Sequence, residues 1–161
     1  MQTFDASSLI HAWDNYPPEQ FPPMWRWVAD QITAGEFTVP HVAYEEVAAK
    51  TPECAAWLKN VRIQRLPITA VIIQQALKIK NALGIQEDSY HPKGVGENDI
   101  LIIATAAISD AELISNEARQ TRIPDIAAKR KIPSVCAMAE VQVRCLSFIE
   151  MVRASGEVFG N

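Results

Sequence analysis

The sequence lacks long apolar runs, and it has few cysteines and histidines. No stretch of its 161 residues approaches the roughly 18 apolar residues that a membrane-spanning helix needs. No basic stretch followed by an apolar one opens the N-terminus, so we expect no secretion signal and a cytoplasmic protein. None of the three cysteines is spaced as Cys-x-x-Cys, which argues against a disulfide framework or a structural zinc site and favours small buried side chains. The three histidines likewise share no metal-ligand spacing.

Positive charge is also in short supply. The net charge is −4, from 15 basic and 19 acidic residues. A protein that coats nucleic acid without selectivity would be strongly basic, so the balance argues against that class. The net charge is compatible with an enzyme that binds a nucleic acid through a few local contacts.

Apolar spacing, glycines and prolines predict strands alternating with helices in one domain over residues 1–161. Such alternation implies a central parallel sheet covered by helices on both faces, that is, a three-layer α/β/α sandwich. We predict strands at Thr3–Asp5, Phe37–Val39, Glu112–Ser115 and Gln142–Leu146, and helices at Met24–Ile32, His41–Lys50, Thr51–Lys59, Ala70–Leu83, Ile100–Ile108, Ile132–Ala139 and Ser147–Arg153.

Acidic residues fall where the chain leaves the predicted strands. Asp5 closes the first strand and Glu117 follows a later one, and ligands of parallel sheets bind at the carboxyl ends of strands. Asp99 opens a helix that should be buried. Either Glu45 or Glu46 can face the same edge, but not both, because neighbours on a helix point about 100° apart.

Gathering these acids would be costly without a cation. Four adjacent carboxylates raise one another's pKa unless positive charge lies between them, and an all-oxygen ligand set favours Mg²⁺ or Mn²⁺ over zinc. Taken singly, each acid has a structural explanation: Asp99 suits a helix start, and Glu117 suits a solvated surface.

The same segments resemble the PIN-domain family of ribonucleases. Asp5–Ser7 resembles its opening Asp-x-(Asn/Ser/Thr), Glu46-Val47 its helix acid, and Asp99–Ala106 its Asp-x-x-Ile-x-Ala-x-Ala stretch. Leu113–Glu117 resembles the strand that follows, with Glu117 where the usual residue is Asp. The tail, Arg122–Leu146, resembles an uncharacterised PIN subfamily whose members look like VapC-type toxins of bacterial toxin–antitoxin pairs.

This resemblance implies an endoribonuclease that prefers single strands and uses Mg²⁺ or Mn²⁺. It implies Glu46 rather than Glu45, and it makes the four acids the metal ligands, with nearby polar groups orienting them. The implied ligands are Asp5, Glu46, Asp99 and Glu117, and the implied orienting groups are Ser7, Ser115 and Asn98.

RNA, an antitoxin protein and a second copy of the chain are the partners that the resemblance implies. Basic residues that could meet RNA phosphates are Lys93, Arg119, Arg122, Lys129, Arg130 and Lys131, although a solvated basic face is the commoner explanation of such a cluster. Exposed aromatics around Trp25 offer one surface for a homodimer.

Three other functions fit parts of the sequence. A structure-specific DNA nuclease would use a similar acid cluster. A PIN-like binding module with weak or lost catalysis would explain Glu117. A haloacid-dehalogenase-type phosphotransferase would use Asp5 as nucleophile, but Ser7 stands where that chemistry usually has a second acid.

Overall fold

A computed structural model describes residues 1–160 of the chain. Helices and strands alternate along most of it, as the apolar spacing predicts. The elements are β1 (Gln2–Phe4), α1 (Ala6–Asn15), α2 (Pro22–Thr33), β2 (Phe37–Pro40), α3 (His41–Lys50), α4 (Pro52–Asn60), β3 (Gln64–Leu66), α5 (Ala70–Ala82), α6 (Glu97–Ile108), β4 (Glu112–Ile114), α7 (Ile132–Cys136), β5 (Cys145–Leu146) and α8 (Phe148–Ser155).

The strands form one parallel sheet in the order β3-β2-β1-β4-β5. Thr3 of β1 lies in register with Thr38 on one side and with Leu113 on the other. From β1 the chain first builds one half of the sheet and later returns to build the other half beside β1. The carboxyl ends of β1 and β4 therefore flank the point where the strand order reverses, which is where open α/β sheets bind ligands.

Burial explains why these segments take these positions. All four residues of β2 are buried, and α6 is buried along most of its length, as expected of a helix that is apolar nearly all round. The helices and the sheet make a three-layer α/β/α sandwich, which confirms the predicted fold class. Within residues 1–160, none of the helices is both long enough and apolar enough to cross a membrane.

The sequence-based elements differ from the structure at α1, which is absent from the predicted helices, in the C-terminal third and at one sheet edge. β3 is absent from the predicted strands; its Gln64-Arg65-Leu66 sequence is short and largely polar. The predicted strand Gln142–Leu146 begins only at Cys145, because Gln142 has a φ of 52°, which is incompatible with a strand. α7 ends at Cys136 rather than Ala139.

Trp25 belongs to the core, so the prediction that it contributes to an exposed aromatic surface is wrong. Its side chain is 4% exposed, its indole N–H donates to the Tyr16 carbonyl oxygen (2.6 Å), and its ring packs edge-on against Trp13 and Trp57. The indole is thus buried with its one polar group satisfied. Cys54 and Cys136 are also buried, Cys145 is half-buried, and all three are free thiols.

Candidate active site

Asp5 lies immediately after β1 and is fixed by two serines. Its carboxylate is 3% exposed, and Oδ2 accepts hydrogen bonds from Ser7 Oγ and from Ser115 Oγ (2.9 Å). Ser7 Oγ in turn accepts from the Asn116 backbone N–H (2.9 Å). Ser7 comes from the first turn of α1 and Ser115 from the end of β4, so the carboxylate is held across the reversal point of the sheet.

Asp99 lies in the first turn of α6. Its Oδ2 accepts the backbone N–H of Gly96 (2.9 Å), which caps the helix start. The capping explanation of this residue therefore holds, but it uses only one of the two carboxylate oxygens. A cap and a site ligand are compatible roles for one aspartate.

Glu46, not Glu45, turns toward the other acids. Glu46 Oε1 accepts from the Asn98 side-chain amide (3.2 Å), beside Asp99. The Glu45 side chain is 60% exposed and lies 3.8 Å from His41 Nε2 on the outer face of α3. The structure therefore places the two glutamates on different faces, as the helical angle requires.

Glu117 is anchored from a distant part of the chain. Its Oε2 accepts the backbone N–H of Ile132, at the start of α7 (3.1 Å), while its own N–H donates to Ser115 Oγ (3.3 Å). The longer side chain that replaces the usual aspartate thus reaches a helix start fifteen residues further on.

The four acids line one cavity of about 430 Å³. It opens at the carboxyl ends of β1 and β4, where the fold predicts a binding site. Lys50 is a wall residue that the sequence did not single out; it lies one helical turn after Glu46, and their spacing of four residues was the available signal. The lining residues are Asp5, Ala6, Ser7, Ile10, Glu46, Lys50, Asp99 and Glu117.

The acids influence one another electrostatically. Burial raises the pKa of Glu46, and the charges of Asp5 and Asp99 raise it further, while the Asn98 hydrogen bond and Lys50 lower it. Burial and the Asp5 charge raise the pKa of Asp99 against the effects of Gly96 and Lys50.

Glu117 behaves in the same way. Burial raises its pKa most, the hydrogen bond from Ile132 lowers it, the charges of Asp99 and Asp5 raise it again, and Lys131 lowers it. Ionising all four acids together is therefore unfavourable, and a cation between them would relieve the repulsion.

The donor set fits a hard divalent cation. Each carboxylate uses one oxygen in the hydrogen bonds above, and no donor within residues 1–160 engages the second. Among these described residues, however, no three Asp, Glu, His or Cys side chains lie close enough together to hold an ion as they stand. Sharing a cation would require at least three of these side chains to come closer together across the cavity.

Two segments that carry predicted basic residues pack against each other. The Val95 N–H donates to the Arg130 carbonyl (3.0 Å), and Gly94 lies so close to the next segment that a Cβ atom there would fall 1.8 Å from the Ala128 carbonyl oxygen. This contact brings the backbone that directly follows Lys93 beside residues 128–130.

The other basic residues differ in their availability. Arg119 is already paired, with Glu150 Oε2 (2.9 Å) and the Cys145 carbonyl. Arg130 donates through Nε to the Pro124 carbonyl (3.1 Å). Lys93 and Arg122 are exposed, and Lys129 is half-buried.

The sequence matches the profile of the family described as "Domain of unknown function (DUF4411)" over residues 3–159. The chain belongs to the DUF4411 family. A comparison with curated proteins finds no match for this DUF4411 domain.

Its fold is similar to that of a solved structure, described as "Crystal structure of VapBC2 from Rickettsia felis bound to a DNA fragment from their promoter". The TM-score is 0.54 at 13% identity, covering 91% of this DUF4411 chain and 97% of the other. At that identity the likeness is one of fold. It confirms the VapC-like PIN architecture that the motifs predict.

Proposed function

We propose that this chain is a metal-dependent endoribonuclease, with Asp5, Glu46, Asp99 and Glu117 as ligands of Mg²⁺ or Mn²⁺. One observation carries the proposal: acids from four separate segments meet in one cavity at the reversal point of a PIN-like sheet, and three of them have raised pKa values. Folding alone gains nothing from collecting like charges there.

The chain's own groups have distinct tasks in this proposal. Ser7 and Ser115 hold Asp5 in one orientation, and Asn98 and the Ile132 N–H orient the two glutamates. When bound, a divalent cation supplies positive charge at the phosphate and lowers the pKa of the attacking water. Among the carboxylate oxygens left free, Glu46 Oε2 and Glu117 Oε1 are available to hold a proton released by a water molecule in the cavity.

Basic residues around the cavity would bind the RNA backbone. Lys93 and Lys129 are the best candidates for phosphate contacts among the predicted basic residues. Their segments pack together, one just before Asp99 and the other just before Ile132, whose N–H holds Glu117. Arg122 and Arg130 are weaker candidates, and Arg119 is the weakest since it is paired with Glu150. Phosphate contacts of this kind weaken as salt rises.

We also propose that the protein acts as the toxin of a toxin–antitoxin pair. The structural neighbour is a VapBC2 assembly, which supports an antitoxin as partner. Exposed apolar side chains suited to a protein partner lie on α5 and just before it: Ile68, Val71, Ile73 and Leu77. A homodimer is the other occupant of such a surface, and light scattering of the purified chain with and without antitoxin distinguishes them.

The deciding experiment compares cleavage of labelled single-stranded RNA and DNA with Mn²⁺ and with chelator. Asp5→Asn and Glu46→Gln should abolish Mn²⁺-dependent RNA cleavage, whereas Glu45→Gln, the adjacent glutamate outside the cavity, should retain it. RNA cleavage that survives chelation contradicts the metal mechanism. Preferential cleavage of DNA would instead support the structure-specific DNA nuclease.

The runner-up is a binding module with weak or lost catalysis. Glu117 in place of the usual aspartate, with one oxygen engaged by Ile132, favours it. In that case Asp5→Asn would leave growth inhibition by the expressed protein unchanged. A loss of growth inhibition in Asp5→Asn, but not in Glu45→Gln, favours the nuclease.

A further inference from the structure

Lys50 is a cation on the wall of an otherwise acidic cavity. It is the last residue of α3, four residues after Glu46, so both side chains extend from the same face of that helix. Its positive charge acts on Glu46 and also on Asp99, which comes from a different helix. Lys50 therefore faces the shared interior of the site rather than one carboxylate.

Within residues 1–160, no carboxylate lies within 4.0 Å of the Lys50 ammonium group. Within the part of the chain that the structure describes, the ion pairs closer than 4.0 Å involve the N-terminus, His41, Arg119 and Arg144 as the basic partners. Lys50 is exposed, and its flexible side chain can follow an anion that enters the cavity. A lysine that served only to neutralise the acids would pair with one of them.

The charges in the cavity explain what such a lysine contributes. The four negative charges of the ionised carboxylates equal the positive charge of two divalent cations and exceed that of one. A phosphodiester is itself an anion, so without Lys50 it meets a site that is neutral or negative overall. Beside any bound cation, the Lys50 ammonium gives the site a net positive charge in the first case and reduces the repulsion in the second.

We propose that Lys50 is a substrate-contacting residue, whose ammonium binds a non-bridging oxygen of the phosphodiester in the acidic cavity. The inference rests on the nuclease function proposed above and assigns a substrate contact to a residue outside the metal-ligand set. It commits the protein to recognising the phosphate within the cavity, in addition to any contact that the outer basic residues make.

The competing explanation is that Lys50 stabilises α3. A basic residue in the last turn of a helix interacts favourably with the helix dipole. Lys59 provides a matched control, because it occupies the last turn of α4, is exposed, and is absent from the cavity wall. A purely helical role predicts the same effect from Lys50→Met and Lys59→Met.

The test compares wild type, Lys50→Met, Lys50→Arg and Lys59→Met by three measurements: kcat and KM on single-stranded RNA, affinity for Mn²⁺ by calorimetry, and affinity for a fluorescent phosphorothioate-linked oligoribonucleotide that resists hydrolysis. A charged hydrogen bond to phosphate predicts that Lys50→Met lowers kcat/KM and oligonucleotide affinity by about 10- to 100-fold. Its Mn²⁺ affinity should stay the same or rise, because a repelling cation has gone. Lys50→Arg should recover most of the loss, and Lys59→Met should resemble wild type.

Two results would overturn the inference. One is oligonucleotide affinity in Lys50→Met equal to wild type. The other is a parallel fall in thermal stability, Mn²⁺ affinity and cleavage, which would make the lysine structural. If wild type cleaves no RNA but Lys50→Met still loses oligonucleotide affinity, the nuclease proposal fails while the phosphate contact stands.

Discussion

Replacing Asp99 with asparagine should stabilise the protein in the absence of metal while abolishing its activity. An asparagine Oδ1 can still accept the Gly96 N–H, so the helix cap survives. The substitution removes a half-buried charge whose pKa is raised by burial and by Asp5. A raised pKa means that the ionised form is less stable in the folded protein than in the unfolded chain.

The magnitude follows from opposing effects. Losing the favourable interaction of a charge with the helix N-terminus costs about 0.3–1 kcal/mol. The raised pKa shows that the unfavourable effects of burial and of the Asp5 charge outweigh this gain. Because Asp99 is partly exposed and water screens the repulsion, we expect the net stabilisation to stay within the range of about 0–1 kcal/mol that exposed charge interactions contribute. For a chain of this size, 1 kcal/mol corresponds to a rise in Tm of about 2–4 °C.

Thermal unfolding with chelator and with Mn²⁺ tests this reasoning, with Asp99→Ala as the control. The alanine variant removes the same charge but also the cap, so it should unfold about 1 kcal/mol more easily than Asp99→Asn. Mn²⁺ at a hundredfold excess over its Kd should stabilise wild type by about 2.7 kcal/mol and leave Asp99→Asn unchanged, which reverses their order. A less stable Asp99→Asn protein in chelator, or one that Mn²⁺ stabilises as it does wild type, would refute the argument.

Three further predictions concern pH, the serine that holds Asp5, and the loop before α6. The raised pKa values of three cavity acids mean that the folded protein binds protons more tightly than the unfolded chain. The metal-free protein should therefore gain stability as the pH falls from 7 toward 5. Urea unfolding at several pH values checks this, and a stability that does not change with pH contradicts it. Ser115→Ala removes a donor to Asp5 and should weaken Mn²⁺ affinity by about 10- to 100-fold in calorimetry, with Ser155→Ala as a surface control. Gly94→Ala forces a methyl group onto the Ala128 carbonyl and should destabilise the protein by about 1–3 kcal/mol in urea unfolding; wild-type stability would contradict the close approach.

The sequence predicted the centre of the molecule better than its periphery. The apolar run after Asp99 predicts a buried helix because burial on all sides leaves a pattern that no surface segment shares. β3 leaves no such pattern: it is a three-residue edge strand with a largely polar sequence, and pairing with β2 decides its conformation. Trp25 was misplaced because composition alone does not show that Tyr16 offers a partner for its indole N–H.

Some features of the candidate site could likewise be predicted from the sequence, and others could not. Asp5, Asp99 and Glu117 follow from their positions at strand and helix ends, which the chain order fixes. The choice between Glu45 and Glu46 needed either family resemblance or the actual rotation of α3. The bond from Ile132 to Glu117 could not be predicted, since it depends on how an irregular segment folds back between them.

The irregular segment that folds back after Glu117 determines the position of that side chain from a distant part of the chain. Residues 128–130 lie against the loop that precedes Asp99, and the next turn of chain supplies the N–H that holds Glu117. The parts of the cavity wall that carry Asp99 and Glu117 therefore both depend on one irregular segment of backbone. Any change that displaces this segment, whether cleavage of a peptide bond or a larger residue packed against it, should therefore disturb the positions of Asp99 and Glu117 together, although every acidic side chain remains in the protein.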